Sequence, residues 1–344
     1  MKYHITPLDL ALKDPFGISR FTRTHSPTVI LHARGGWGEA TPYKLYGETR
    51  ETVASDLQCL DNYSSWNFFQ YRQLLPEVFS RLPHSHASRA SLDLLTWDLL
   101  GKELNVPLYK LLGIPLDNIP LSSFTIGIDS LDKMLEKTRN AQSYPVLKIK
   151  VGFEGDMDIL KAIRQNYEGR IRVDANTAWN WKEAREKIAQ MKDLDIEFVE
   201  QPLKRDDYEG QKKLNEVAQL PVILDESILS PRDIINWHRV CDGINIKLMK
   251  CGGILTALTM IELARLYDLK IMLGCMLETS VGVSAAAQLA PLVDFIDLDG
   301  NKLIANDPFE GCSIDNKGRM KYSHRPGLGV RPVSSHFTEV ESKQ

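Results

Sequence analysis

Lys148 and Lys150 flank a single apolar residue in Pro145-Val-Leu-Lys-Ile-Lys150, so on a β-strand both ammonium groups point to the same side. Three short apolar runs follow, each ending on an acid: Arg-Val-Asp174, Phe-Val-Glu200 and Ile-Leu-Asp225. From Lys150 the steps are 24, 26 and 25 residues, and Gly-Ile-Asn-Ile-Lys247 stands 22 beyond Asp225. Three acids pointing into one mouth repel strongly unless a cation lies between them. An all-oxygen set with no cysteine or histidine beside it suits Mg²⁺ better than zinc. Any one of these acids would also serve as a helix cap after a strand. Three in successive units, beside lysines, favour the metal. Asn176 and Glu226 adjoin the ligands and are expected to support them rather than to bind the cation.

A lysine pair at a strand end is often no more than solvated charge, and Lys247 is open to the same reading. Against it, Ile-Lys-Ile-Lys and Asn-Ile-Lys-Leu bury their alternate residues in a wall, which aims the lysines inward. Lys150 and Lys247 would then face a substrate from opposite sides. Two ammonium groups and a divalent cation in one closed space are expected to lower each lysine's pKa toward the range of a general base. One reaction type suits such a set. A hydrogen beside a carboxylate is very weakly acidic, because removing it makes a dianionic enediolate. Holding that carboxylate on Mg²⁺ with help from Lys148 stabilises the developing charge. A base on one face and an acid on the other would invert the α-carbon.

What must position these groups is a parallel barrel. A functional residue at the end of each strand, once per β/α unit of about 25 residues, is the pattern of a closed parallel barrel with its site at the carboxyl ends. Expected strands are 121–127, 146–150, 170–174, 196–200, 222–226, 243–247, 270–275 and 294–298. Helical stretches between them include 159–167, 181–192, 208–218, 231–238 and 257–267. Before the barrel, residues 2–11 and 28–34 with the turn at Gly35-Gly-Trp-Gly-Glu39 predict a small antiparallel meander. Between its strands, residues 15–25 read as a polar loop with a glycine hinge, able to close over a site. Residues 48–115 turn helical, most clearly at 88–102.

The resulting α/β organisation is a capping α+β domain over 1–117, a modified (β/α)8 (TIM) barrel over 118–310, and a segment, 311–344, that returns to the cap. The polar end from Ser334 onward is expected to be mobile. At 344 residues there is room for both units, and 43% apolar with 25% charged residues is ordinary for a soluble globular chain. A net charge of −3 gives no reason to expect nucleic acid or a membrane surface as partner. No apolar run reaches the length of a membrane span, and the N-terminus lacks a signal-peptide core. Five cysteines without a Cys-x-x-Cys pair read as reduced thiols of a cytoplasmic protein, with neither disulfides nor zinc implied.

Lys148-x-Lys150, Asp174, Glu200-Gln-Pro, Asp225-Glu-Ser and Asn-x-Lys247, in this order, resemble the muconate-lactonizing subgroup of the enolase superfamily. The pairing of a lysine base with Mg²⁺ is an established property of that superfamily. Gly-Trp-Gly-Glu39, the stretch 92–102 and Pro-Gly-Leu-Gly (326–329) are similar to its capping domain. Asp297-Leu-Asp299, with Gly274-Cys-Met-Leu-Glu278-Thr before it, resembles the dipeptide epimerases, in which the Asp-x-Asp pair holds the ammonium group of the N-terminal residue. The resemblance implies a dipeptide substrate, Mg²⁺ and a homo-oligomer. It places Asp297, Asp299, Thr125, Cys275 and Leu298 at the substrate. In relatives acting on Ala-Glu, an arginine of the capping loop meets the glutamate side chain. Here that loop carries Arg20 and Arg23, and a gapless alignment from Pro15-Phe16 puts Phe21 where the arginine would stand. Phe21 favours an apolar side chain, and Tyr43 and Tyr46 are further candidates to shape the pocket.

Other members of the subgroup (N-acylamino acid racemase, o-succinylbenzoate synthase, cycloisomerase) share the lysines and metal but need no cation-binding acids. A sugar-acid dehydratase should carry a histidine on the seventh barrel strand, and Ile-Met-Leu-Gly-Cys275 has none. His238 reads as structural. A non-catalytic scaffold barrel would be expected to lack a ligand or a lysine.

Overall fold

The computed structural model describes residues 3–60, 66–334 and 337; the expected mobile tail lies outside them apart from Ser334 and Phe337. Strands β1 (His4–Ile18), β2 (Phe21–Ala33) and β3 (Gly36–Ala40) form an antiparallel sheet in that order. Residues 15–25 are therefore no loop. They are the tip of a long β1–β2 hairpin, with Ile18 paired to Phe21 and a register shift between Ala11 and Phe16. Gly17 is not a hinge either. A Cβ there would meet Ile128 O at 2.3 Å, so glycine permits the hairpin to lie against the barrel, where Ile128 N–H donates to Gly17 O at 2.9 Å.

Helices α1 (Arg50–Leu60) and α3 (His86–Glu103) pack on this sheet, and α2 (Tyr71–Ser80) and α4 (Leu108–Leu111) pack on α3. In α3 the run Ala87–Gly101 is buried almost without interruption, because the sheet covers one face and the barrel the other. The chain from Phe309 onward touches the same cap. Trp37 meets Phe309 and Phe337 with ring centroids 4.9 and 5.6 Å apart, and Leu328 N–H donates to Asp98 Oδ1 at 2.8 Å.

The barrel comprises β4 (Phe124–Ile126), β5 (Val146–Lys150), β6 (Arg170–Asp174), β7 (Ile196–Glu200), β8 (Val222–Leu224), β9 (Gly243–Lys247), β10 (Lys270–Gly274) and β11 (Phe295–Asp297), all parallel and paired in sequence order. A parallel bridge between Ser122 and Ile296 brings the first and last strands together. Outside run α5 (Leu131–Asn140), α6 (Asp156–Asn166), α7 (Trp181–Met191), α8 (Tyr208–Asn215), α9 (Pro231–Trp237), α10 (Leu248–Cys251), α11 (Ile254–Leu266) and α12 (Ser280–Ala287). The first, fifth, seventh and eighth barrel strands are shorter than their apolar runs. The chain leaves the ladder at the rim, so Asp225 stands just past β8 rather than on it.

The barrel interior is layered. Phe198, Ile223, Met272 and Phe295 form an apolar plug, with the Arg172 guanidinium 5.3 and 4.9 Å from the two phenyl centroids. Above the plug the side chains turn charged. Among the described residues no helix is long and apolar enough to cross a membrane.

Candidate active site

Strand register places the charged residues in one ring at the barrel's carboxyl rim. Lys150 pairs with Asp174 and Asp174 with Glu200, while Lys247 pairs with Gly274 and Gly274 with Asp297. Asp225 follows β8 in the gap between the two rows. Lys150 on the second barrel strand and Lys247 on the sixth are four strands apart, on opposite walls of an eight-strand circle. Gly274 leaves the space that Lys247 needs: a Cβ on it would stand 3.1 Å from Lys247 Cε. A small residue on the seventh strand is thus part of how the sixth-strand lysine enters the mouth.

Asp174, Glu200, Asp225 and Asp297 are each turned onto an amine. Lys148 Nζ lies 2.7 Å from Glu200 Oε2, 2.9 Å from Asp297 Oδ2 and 3.1 Å from Asp174 Oδ2. Lys150 Nζ donates to Asp174 Oδ2 at 2.6 Å, and Lys247 Nζ to Asp225 Oδ2 at 2.8 Å. Burial alone would raise Asp174, but Lys150 and Lys148 hold it well below the usual carboxylate range. Asp225 is likewise held down, by Lys247 and Lys250, against burial. Glu200 goes the other way: burial and its neighbour Asp174 push it up to about 7. Among the protein's own charges, two of the lysines are dominated by their carboxylate neighbours. Burial would depress Lys148 and Lys247, yet Asp297 and Glu200 hold Lys148, and Asp225 holds Lys247, well above the ordinary lysine value. Here the neighbouring charges outweigh desolvation.

Asp174, Glu200 and Asp225 are the residues that could hold a divalent cation. Among the described residues no three acidic, histidine or cysteine groups are gathered into a ready cage, since their oxygens face ammonium groups instead. The donor set nonetheless fits a hard cation. All three are buried carboxylates, Asp225 raises Asp174 and both raise Glu200 electrostatically, and Glu200 Oε2 accepts no well-aligned hydrogen bond even with Lys148 beside it. Asn245 Nδ2 donates to the other Glu200 oxygen at 2.7 Å and so fixes the carboxylate's plane.

Lys250 was not among the expected site residues. Fully buried on α10, it places Nζ 2.5 Å from both Asp225 O and Asp225 Oδ1 and 2.9 Å from Asn245 O. Three donors meet three acceptors, behind the carboxylate and away from the mouth. The sequence carried a signal for it: a lysine one helical turn after Lys247, inside the apolar Leu-Met-Lys-Cys run before Gly252-Gly253.

The hairpin tip closes over this ring. Arg20 donates to Asn176 O and Thr177 Oγ1 beyond β6, and to Glu226 Oε1 (2.9 Å) beyond β8 and Tyr43 Oη (2.7 Å) in the cap. Arg20 thus latches the tip, with Glu226 and Asn176 as its anchors. Phe21, Arg23, Tyr43 and Tyr46 line the outer wall of the cavity; Thr125, Cys275, Asp297 and Asp299 line the side below β4 and β11. Leu298, expected at the substrate, is fully buried and does not line the cavity; its N–H donates to Ser122 Oγ at 2.9 Å, at the barrel seam. His238 stacks on Tyr267 far from the ring, ring centroids 4.0 Å apart.

The cap is fixed to the mouth at Glu39, which is fully buried. Its carboxylate accepts from Thr28 Oγ1 and from Thr279 and Gly282 at the start of α12. That contact holds the segment 275–277, which forms part of the cavity wall.

Residues 2–113 match the family described as the mandelate racemase/muconate lactonizing enzyme N-terminal domain, and residues 130–335 match the enolase C-terminal domain-like family. An L-Ala-D/L-amino acid epimerase of Maribacter sp. is 37% identical over 334 residues, 96% of this chain and 99% of that one. An L-Ala-D/L-Glu epimerase of Bacteroides thetaiotaomicron is 36% identical, over 97% of this chain and 88% of its own. A dipeptide epimerase of Enterococcus faecalis, solved with Mg and L-Leu-L-Tyr, superposes with a TM-score of 0.88 at 31% identity, covering 96% and 98% of the two chains. With both halves matched and the barrel complete, the chain belongs to the mandelate racemase/muconate lactonizing enzyme family of the enolase superfamily.

Proposed function

We propose that this protein is an isomerase that epimerises dipeptides at the α-carbon of the C-terminal residue, with Lys150 and Lys247 as the two acid–base groups and Mg²⁺ held by Asp174, Glu200 and Asp225. The observation that carries this reading is the ring itself: two amines on opposite walls, three acids between them, and a second acidic pair, Asp297 and Asp299, at the far side of the same cavity. A dipeptide is a zwitterion. Its carboxylate belongs at the cationic end and its ammonium at the acidic end, which spans the α-hydrogen between the lysines.

Mg²⁺ held by Asp174, Glu200 and Asp225 would supply the positive charge that makes the α-hydrogen acidic. Lys148, held by three acids, stays protonated and adds charge beside the developing enediolate. Lys150 and Lys247 exchange the proton on opposite faces, one as base and the other as acid. The Arg20 latch excludes water from the closed mouth.

Phe21 gives the wall an apolar face, 37% exposed and edge-on to Tyr43, which favours apolar or varied second residues. Arg23 supports a second preference. Its guanidinium lies over the Phe21 ring at 5.6 Å and is held below the usual arginine value by burial, with Nε unpartnered. An acidic side chain would relieve that charge.

An L,L-dipeptide library incubated with Mg²⁺ in D₂O tests both points. Mass gain is expected at the C-terminal residue of a subset of members, and none with any dipeptide would refute the assignment. Arg23→Met should lower kcat/KM for members ending in Glu by roughly 10-fold or more while sparing those ending in Leu. A pH profile adds a further check. Asp299, pushed up to about 7 by burial and Asp297, must be ionised to receive an ammonium. Below that value it is protonated, so kcat/KM should fall as pH drops through about 7. A flat profile from pH 8 to 6 would contradict it.

A further inference from the structure

Asp174 and Glu200 end their strands paired with each other, whereas Asp225 stands off the ladder because β8 stops at Leu224. Something other than strand pairing must hold it. The Glu200-Gln-Pro run shows what does. Pro202 has no N–H with which to carry β7 further. Gln201 turns aside before it, with φ at 36°, a left-handed value uncommon outside glycine. Its N–H still reaches Ile223 O at 2.8 Å. In a parallel ladder the next bond would run from Asp225 N–H to Gln201 O. That carbonyl faces the other neighbour instead and accepts from Thr177 N–H at 2.8 Å.

The Gln201 side chain does what the carbonyl does not. Its Oε1 accepts Asp225 N–H at 2.8 Å and Ser227 N–H at 3.2 Å. Its Nε2 donates to Leu203 O at 2.9 Å and to Ser227 Oγ at 3.0 Å. All four hydrogen bonds of the amide are thus made, in a side chain that is fully buried. A flipped amide would set N–H against N–H and oxygen against Leu203 O, so the partners fix its orientation. From the other side Lys250 holds Asp225 O and Oδ1. One side chain grips the ligand's amide, the other its carbonyl and carboxylate.

We propose that Gln201 is a positioning residue: its side-chain amide stands in for the strand that β7 does not extend, and sets Asp225 for a divalent cation. This rests on the reading of Asp174, Glu200 and Asp225 as the metal ligands and deepens it, since it says how the one ligand outside the ladder is kept in the ring. Lys247 leans on the same carboxylate. A displaced Asp225 therefore loosens the cation and the sixth-strand lysine together.

The test titrates the intact chain with MgCl₂ alone in a calorimeter, with no substrate present. Gln201→Leu is close in volume and strips every bond of the amide. Its Kd for Mg²⁺ should rise roughly 10- to 100-fold, the usual cost of losing a group that orients a metal ligand. Hydrogen exchange across residues 225–228, read by mass spectrometry before metal is added, should speed up roughly tenfold or more. Gln211→Leu supplies the comparison. It removes another buried amide, bonded to Val240 O at 2.9 Å on α8 outside the barrel. Its Tm should fall while its Kd for Mg²⁺ stays within about threefold of the wild type. If Gln201→Leu does not fold, Gln201→Asn, which keeps an amide one methylene too short to reach Asp225, should show the same loss of affinity. The proposal is overturned if the folded Gln201 variant binds Mg²⁺ within about threefold of the wild type. It is equally overturned if Gln211→Leu weakens Mg²⁺ as much, since the effect would then be one of general stability. A wild-type chain that binds no Mg²⁺ would instead overturn the metal reading beneath it.

Discussion

Replacing Lys150 or Lys247 with alanine is expected to abolish epimerisation while leaving half of the proton chemistry in place. Each lysine stands on its own wall of the barrel, so each faces the α-hydrogen of one diastereomer. Removing one base stops inversion, because a proton taken on one face finds no donor on the other. The remaining lysine still removes the hydrogen that points at it and returns a solvent proton to the same face. In D₂O, the Lys150→Ala variant should therefore exchange the α-hydrogen of one diastereomer only, and Lys247→Ala that of the other. Epimerisation should fall by about 10²- to 10⁴-fold in both, the usual contribution of a general acid–base group. Proton NMR of an L,L and an L,D substrate, each with both variants, reads all four rates. Full epimerisation in either variant, or exchange of both diastereomers by one lysine, would remove the two-base scheme.

The second large effect concerns Asp225. Saturating Mg²⁺ at about 100 times its dissociation constant should stabilise the wild type by about 2.7 kcal/mol, seen as a rise of several degrees in Tm. Asp225→Asn should lose that response. It should also start lower, because Lys247 and Lys250 both lean on this one carboxylate. Breaking a buried pair by removing one partner costs about 3–5 kcal/mol. A thermal melt with and without MgCl₂ separates the two contributions: the metal-free Tm reports the lost ion pairs, and the difference between the curves reports the cation. An undiminished Mg²⁺ shift in Asp225→Asn would take Asp225 out of the ligand set.

Three acids at one level of a barrel would be costly to bury alone. Here Lys148, Lys150, Lys247 and Lys250 each stand on at least one of them, so acids and amines neutralise one another. The amines proposed to act on substrate therefore also hold these carboxylates in the folded barrel.

The sequence by itself determined the barrel and which charged residues gather at its carboxyl rim. Strand alternation is local: Lys148 and Lys150 share a face whatever the rest of the chain does, and a regular step of about 25 residues leaves few ways to arrange the acids. Other features waited on the fold. That residues 15–25 form a hairpin tip depended on Gly17 reaching Ile128, more than a hundred positions away. The shape of Leu298's surroundings was set by the seam with Ser122. Lys250 joins the site only because α10 turns it behind Asp225. The direction of the Lys148 and Lys247 pKa shifts has the same origin. It depends on which charges end up within a few ångströms of each other across the barrel, and Coulomb interactions over such distances are a property of the packed ring, which no spacing along the chain encodes.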